Sequence, residues 1–467
     1  MANTYDLAVI GGGIAGYTAA EKAASLGKRA VLIESRDIGG TCLNRGCIPT
    51  KTLLHSAELM RHMKSAEDIG VDISMARVNM NALQDRKQEV TEQLRSGIEQ
   101  MLKKKKIDII RGTGKITAPH KIEISGSYGI TAVEAENILI ATGSKPVQVP
   151  IPGADSEGVM NSDMILERRD QPFKTLIIIG GGVIGMEFAT VYNDFGTKVV
   201  VLEAMDRILP QMDREFSQNL KMIMTKRGAD INSGAVVKSI KHLDNILPEE
   251  KEVLPGYEVA FEVNGIENTV RGDGVLISIG RRTNIEGLFD SSLGLKNDRG
   301  IITVDDSCRT NIAGIYAAGD VIGGIQLAHV AAAEGCRAVE CMFGTDAEQD
   351  ISLIPSCVYT SPEIASVGMT KEEAKSQGIE VKAGKYIMSA NGKSVLSQED
   401  RGFIKIIADA GTGVVLGGQI MSGRATDMIG ELALAVAKKL TVHDLASVVA
   451  AHPTFSEGIR EAAASMI

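Results

Sequence analysis

Two stretches of the chain share one pattern of apolar and polar positions. The run Asp6-Leu-Ala-Val-Ile10 gives way to Gly11-Gly-Gly-Ile-Ala-Gly16 and then to Ala-rich sequence ending near Leu26. Much later, Thr175-Leu-Ile-Ile-Ile179 gives way to Gly180-Gly-Gly-Val-Ile-Gly185 and a second such stretch ending near Phe195. A short continuous apolar run bounded by turn residues predicts a buried strand, and the longer Ala-rich stretch predicts a helix. Gly27 and Gly196 follow the two helices, where a left-handed cap favours glycine. Each helix leads into another apolar strand ending in an acid, Ala30-Val-Leu-Ile-Glu34 and Val199-Val-Val-Leu-Glu203.

Further strands run into glycine turns at Ile138-Leu-Ile-Ala-Thr-Gly-Ser144, Val275-Leu-Ile-Ser-Ile-Gly280 and Ile315-Tyr-Ala-Ala-Gly-Asp320. Pro146, Pro150 and Pro152 mark a linker. From Pro355 onward the texture changes to alternating strands with two helices and no phosphate loop. The expected fold class is α/β: two Rossmann-like dinucleotide-binding domains and a C-terminal α+β domain. The first domain is expected in two segments, 1–148 and 273–345, with the second at 149–272 and the third at 346–467.

A lone G-x-G-x-x-G is a weak signal, but here strand, turn, helix and acid all recur, with each acid 18 residues beyond the last glycine (34 − 16 and 203 − 185). Gly11 and Gly180 make the tight turn, and Gly13 and Gly182 let a pyrophosphate approach the backbone. Gly16 and Gly185 permit close helix–strand packing, with the helix N-terminus toward the phosphates. Glu34 and Glu203 are placed to accept hydrogen bonds from ribose hydroxyls. Two dinucleotides are therefore expected. Glu203 would repel a 2′-phosphate, which favours NAD over NADP, and Arg207 is read as a surface residue.

The formal net charge of −9 argues against a nucleic-acid partner, and Lys103 to Lys106 read as the solvated end of a polar helix that starts near Asn81. No apolar stretch approaches the ~18 residues of a membrane span, and the N-terminus lacks a signal pattern, so a cytoplasmic location is expected. Six cysteines in 467 residues are too few for a secreted disulfide framework.

Cys42 and Cys47 lie in Gly39-Gly-Thr-Cys-Leu-Asn-Arg-Gly-Cys-Ile-Pro-Thr-Lys51. Five residues on a regular helix separate two cysteines by ~7.5 Å along the axis, too far to bridge. A redox pair here needs an irregular backbone, which Gly46 and Pro49 would permit. Cys336 and Cys341 have the same spacing with no breaker between them, and they read as buried structural thiols, as do Cys308 and Cys357. Thiol–disulfide exchange also needs a proton acceptor. His452-Pro-Thr-Phe-Ser-Glu457 offers an imidazole with a carboxylate able to fix its tautomer.

Together these segments resemble the pyridine nucleotide–disulfide oxidoreductases, and within them the branch that oxidises dihydrolipoamide. The resemblance spans nearly the whole chain and rests on the segment around Cys42 and Cys47 and on the His452–Glu457 motif. It implies FAD at the first site and NAD at the second. It implies a Cys42–Cys47 disulfide, with Cys42 as interchange thiol and Cys47 beside the flavin. His452 would act as base, oriented by Glu457 and reaching across a homodimer. Lys51 paired with Glu187 would sit near the reactive flavin nitrogen. Gly114, Thr142, Gly143, Ser144, Asp320 and the stretch Gln326, Leu327, Ala328 and His329 become expected FAD contacts; Val237 and Gly280 become expected NAD contacts. The implied partner is a lipoyl-bearing protein, of a 2-oxoacid dehydrogenase or of glycine cleavage, and no metal is implied. Arg45 and Thr50 stand where many members carry Val and Ser.

Overall fold

The computed structural model describes residues 4–127, 129–243, 256–346 and 349–467; the first three residues of the expected first domain lie outside it. The strand Thr4–Ile10 is central to a seven-stranded sheet, paired in parallel with Ala30–Glu34 on one side and with the second half of Gly129–Ile140 on the other. Leu7, Ala8 and Val9 are fully buried, as a parallel strand covered on both faces requires. The first half of Gly129–Ile140 turns into an antiparallel meander with Lys121–Gly126 and Thr113–Ala118. Ile315–Ala317 joins the same sheet beside Ile138–Ile140.

Four helices follow the first strand: α1 (Ile14–Ser25), α2 (Gly40–Arg45), α3 (Cys47–Lys64) and α4 (Met80–Lys104). Helix α1 ends one residue before its predicted end, and Gly27 adopts φ +75°. The basic run Lys103 to Lys106 is exposed at the end of α4.

The second unit repeats the plan. Asp230–Ser233, Lys198–Glu203, Thr175–Ile179, Gly274–Ile277 and Val159–Asn161 form a parallel sheet, accompanied by α5 (Ser162–Ile165), α6 (Val183–Asp194) and α7 (Arg214–Lys226). A three-stranded antiparallel meander, Ala235–Leu243, Gly256–Val263 and Ile266–Gly272, leads into Gly274–Ile277. That last strand hydrogen-bonds to Thr175–Ile179, so it belongs to the second sheet and not with segment 273–345 as expected from sequence. Its side of the apolar edge of Thr175–Ile179 would otherwise lack a partner. The chain then returns through Arg281–Thr283, antiparallel to Ser144–Pro146, and reaches α8 (Ala328–Phe343).

The C-terminal unit is a five-stranded antiparallel sheet, ordered Ser356–Val358, Glu363–Gly368, Val415–Ser422, Phe403–Asp409, Val381–Ile387. It carries α9 (Lys371–Ser376), α10 (Gly392–Leu396), α11 (Ala425–Ala437), α12 (Val442–Ser447) and α13 (Glu457–Ala464), where the sequence predicted two helices. Helices of five or six residues are shorter than the window in which a 3.6-residue period can register.

One core cluster crosses all three units. It joins Leu53 and Ala57 of α3, Leu83 of α4, Phe188 of α6, Phe216 of α7, and Val358, Ile364, Phe403 and Met421 of the C-terminal sheet. Phe216 and Phe403 stack with centroids 5.5 Å apart. Helix α3, which begins at Cys47, is thus wedged between the second and third units. Among the described residues, no helix is long and apolar enough to cross a membrane.

Candidate active site

The two glycine loops are built alike. Gly11 and Gly180 adopt φ +110° and +107°, and a Cβ on either would strike backbone at 2.2 and 2.7 Å. A Cβ on Gly16 would lie 1.8 Å from Gly11 O, and one on Gly185 2.0 Å from Gly180 O, so the helix packs on the turn without room for a methyl. Glu34 accepts from Gly12 N and Arg36 N, both at 2.6 Å; Glu203 accepts from Gly181 N at 2.6 Å and Met205 N at 2.7 Å. Each carboxylate oxygen keeps a second lone pair for an incoming hydroxyl. Arg207 donates to Pro210 O and pairs with Asp206, so its guanidinium is half-buried and engaged beside its own loop.

The middle glycines differ. A Cβ on Gly13 would have Gly40 Cα 3.8 Å away, and one on Gly40 (φ +59°) would strike Gly13 Cα at 2.6 Å. The start of α2 therefore roofs the first loop. A Cβ on Gly182 would meet nothing within 4 Å.

The helix breaks between the two cysteines, at the glycine expected to permit it. α2 ends at Arg45, Gly46 departs from helical angles at φ −150°, ψ −108°, and α3 starts at Cys47. Pro49 sits in the first turn of α3, where its missing N–H costs nothing. The two thiols are free and hydrogen-bonded to each other. That bond and burial push Cys42 far up. The same bond brings Cys47 down to about 7, with the Lys51 charge helping and burial and Glu187 opposing. Position on the first turn of a helix also favours a thiolate at Cys47.

Lys51 lies one turn beyond Cys47 on the same face of α3. Its Nζ is 2.8 Å from both Glu187 oxygens and 4.3 Å from the centroid of the Tyr359 ring. Tyr359 N donates to Glu187 Oε1 at 3.1 Å. One buried carboxylate on α6 thus gathers α3, the second unit and the C-terminal sheet.

Around the other glycine turns, Ser144 Oγ donates to Asp320 Oδ2 and accepts from Arg281 Nε at 2.8 Å. Gly143 adopts φ +69°, and Thr142 Oγ1 is buried without a hydrogen-bond partner among the described residues. Gly114 lies in the first sheet, where a Cβ would press on Ile10, Ile33 and Ile122. Helix α8 starts at Ala328 with Leu327 as N-cap and Gln326 just before it; His329 Nε2 lies 2.8 Å from Pro355 O. In the second unit Val237 lies at a register shift in its strand, and Gly280 adopts φ +123° with open space around it.

His452 and Glu457 are paired, Nδ1 to Oε2 at 2.9 Å, but the imidazole is 76% exposed. Within one chain, therefore, the structure gathers Cys42, Cys47, Lys51 and Glu187 and leaves His452 facing outward. Of the other cysteines only Cys308 is buried; Cys336, Cys341 and Cys357 are half-buried, which corrects the expectation for those three. Cys336 and Cys341 do lie on one unbroken helix, and α8 packs only part of its circumference inward. Among the described residues one cluster has metal-ligand character, Glu58, His62 and Glu399, and it sits three to four turns along α3 from Cys47. Sequence reasoning missed Arg281, Tyr359 and Asn391. Asn391 donates to Glu457 Oε1 at 3.3 Å. None of the three belongs to a local motif; each matters through a partner more than 60 residues away.

Comparison with known proteins identifies the family. Residues 5–335 match the model of the pyridine nucleotide-disulphide oxidoreductases, and residues 354–463 match that family's dimerisation domain. The chain is 40% identical to a dihydrolipoyl dehydrogenase of Bacillus subtilis (strain 168), over 99% of this chain and 98% of the relative. It superposes on LpdA from Mycobacterium tuberculosis with a TM-score of 0.89 at 29% identity, covering 99% of each chain. The HOCl-induced flavoprotein disulfide reductase RclA from Escherichia coli, in its Cu(II) complex, gives 0.86 at 30% identity, again over 99% of each. With two matched glycine loops, a helix broken between paired thiols and a family match across most of its length, this chain belongs to the pyridine nucleotide–disulphide oxidoreductases.

Proposed function

We propose that the chain is a dihydrolipoyl dehydrogenase, oxidising protein-bound dihydrolipoamide to lipoamide and reducing NAD+ to NADH. The observation that carries this reading is the thiol pair set on either side of the helix break, with Cys47 opening α3 one turn before Lys51, which Glu187 holds at 2.8 Å. The name of the Bacillus subtilis relative supports the substrate.

The first loop fits FAD: Gly13 has no side chain to keep a pyrophosphate off the backbone beside the start of α2, and the Thr142 hydroxyl is an orphan that a bound cofactor could satisfy. Gly11, Gly16, Glu34, Gly114, Gly143, Ser144, Asp320 and residues 326–329 would complete that site. Gly180, Gly182, Gly185, Glu203, Val237 and Gly280 would hold NAD. FAD, when bound, accepts the electron pair from the dithiol and passes it to NAD+.

The residues divide the remaining work. A substrate thiolate attacks Cys42 Sγ of the oxidised pair, the Cys42–Cys47 bond breaks, and Cys47 departs as a thiolate. The lower thiol pKa makes the better leaving group. The second substrate thiolate then attacks the mixed disulfide, releasing lipoamide and Cys42. Each attack needs a proton removed from a substrate thiol. His452 of a second subunit takes the first proton, held by Glu457, and the second passes to Cys42 as that thiol leaves; the outward exposure of His452 and the dimerisation-domain match support a homodimer. Lys51 and Glu187 keep a fixed charge beside Cys47. We place the second domain at about 149–280, because its sheet includes Gly274–Ile277, and the location in the cytoplasm.

Steady-state assays with dihydrolipoamide, glutathione and thioredoxin as dithiol donors test the proposal. NAD-linked oxidation should be fast with dihydrolipoamide alone. Preference for either of the others would overturn it.

A further inference from the structure

An imidazole that works from an exposed loop needs its orientation fixed from below, because solvent competes for every hydrogen bond it makes. His452 has Glu457 as its hydrogen-bond partner, so the question becomes what holds Glu457. Glu457 Oε2 goes to the imidazole, and Oε1 accepts from Asn391 Nδ2 at 3.3 Å. The second Nδ2 proton of Asn391 is donated to Thr454 O at 2.9 Å, in the loop between histidine and glutamate. Asn391 Oδ1 accepts from Ser394 N at 2.9 Å and so caps α10. The side chain is 1% exposed, and its three hydrogen bonds are all directed. Its donors are spent on the 452–457 loop, and its acceptor ties that loop to a helix start in another part of the C-terminal unit.

We propose that Asn391 is a positioning residue for dithiol oxidation, setting the orientation of Glu457 and through it that of the His452 imidazole. The proposal rests on the reading of His452 as the base. An amide donor on Oε1 fixes rotation of the carboxylate and leaves Oε2 directed at Nδ1, so that Nε2 is the free, basic nitrogen. A buried polar group with every site used is also costly to leave half-satisfied, which ties loop geometry to this one side chain. The other charged and titratable groups near Glu457 are Tyr386 on the strand Val381–Ile387 and Glu461 on α13, the latter paired with Arg460. Neither Tyr386 nor Glu461 hydrogen-bonds to Glu457 as Asn391 does.

Asn391→Asp is the informative substitution. It keeps the α10 cap and the shape, and its buried carboxyl, against Glu457, shares one proton with that carboxylate in place of the amide donor. Ionisation of that pair is coupled to the imidazole, so the pH at which dihydrolipoamide oxidation switches on should shift by about a unit. Asn391→Ser keeps a cap oxygen without the donor to Glu457; it should lower kcat for dihydrolipoamide roughly tenfold with little change in KM. Electron transfer from NADH to ferricyanide by the holoenzyme, which needs no imidazole, should stay within about twofold for both. In a His452→Gln background, neither substitution should reduce dithiol oxidation further.

An unchanged pH profile for Asn391→Asp, or equal losses with and without His452, would overturn the positioning role. If His452→Gln itself leaves dithiol oxidation intact, the underlying assignment of the base falls, and this proposal with it. If His452→Gln abolishes it while the Asn391 variants behave as wild type, only the role of Asn391 falls.

Discussion

The two glycine-loop units agree in their tight turns, helix contacts and acid clamps to within about half an ångström, yet differ in what lies above the middle glycine. Over Gly13 the start of α2 comes down; over Gly182 there is space. The motif specifies how a pyrophosphate is cradled, and the neighbouring chain specifies whether it can leave. A roofed loop suits a cofactor that stays, and an open one suits a cofactor that exchanges each turnover. The roof also carries Cys42, so the resident cofactor and the redox pair are placed by the same six-residue helix.

The largest effect should come from removing chemistry at the roofed side while sparing the open one. Cys47→Ser should lower dihydrolipoamide oxidation by about 10³-fold or more and leave NADH-to-ferricyanide transfer measurable. Loss of both activities together would mean that the two sites are not separable.

Charge at the open side comes next. Glu203 should make NADH preferred over NADPH by about 10²-fold in kcat/KM, and Glu203→Gln should erode that preference. Glu34→Gln, under the roof, should leave the NADH/NADPH ratio unchanged. Equal use of the two nucleotides by the wild type would contradict the reading of Glu203.

The roof itself is tested by matched substitutions. Gly40→Ala puts a Cβ 2.6 Å from Gly13 Cα, and overpacking of that kind costs about 1–3 kcal/mol, so flavin content after purification should fall. Gly182→Ala should purify with full flavin. Identical flavin content in both would remove the distinction drawn above.

The smallest effect is a titration. In reduced enzyme, alkylation of Cys47 should rise as pH passes about 7, because the thiolate appears as pH climbs through that value, while Cys308, pushed up to about 12, stays silent across the neutral range. Lys51→Met removes a charge that favours the thiolate, so the Cys47 midpoint should move upward by about a unit. Mass spectrometry of the alkylated peptides reads both. A midpoint that moves downward would assign Lys51 the wrong sign.

What the sequence made legible is what works over short range. Strand, glycine turn, helix and acid lie within about thirty residues, and their spacing predicted the tight turns at Gly11 and Gly180 and the close packing at Gly16 and Gly185. The break between Cys42 and Cys47 followed from Gly46 and Pro49 beside the pair, since Cys336 and Cys341 have the same spacing on an unbroken helix. The pairing of Lys51 with Glu187 came through family resemblance, since nothing local joins residues 136 apart. Arg281, Tyr359 and Asn391 likewise act across gaps of 66 to 172 residues and carry no local signature. The placement of Gly274–Ile277 was lost for the same reason: a strand's sheet depends on its neighbours, and its own apolar run is silent about them.

The ribbon of Ser144–Pro146 against Arg281–Thr283 bears on how the two sites can communicate. The chain leaves the first unit along one of these strands and returns along the other, and Arg281 is pinned to Ser144 and through it to Asp320. Two crossings zipped together behave as a strap, where a single linker would act as a hinge. The cradles therefore have little freedom to swing apart like a clamshell, and an exchanging dinucleotide must slip in past loops and side chains. Misplacement by ~1 Å can cost about 10²-fold in rate, and a strap of this kind holds donor and acceptor at one separation through every cycle.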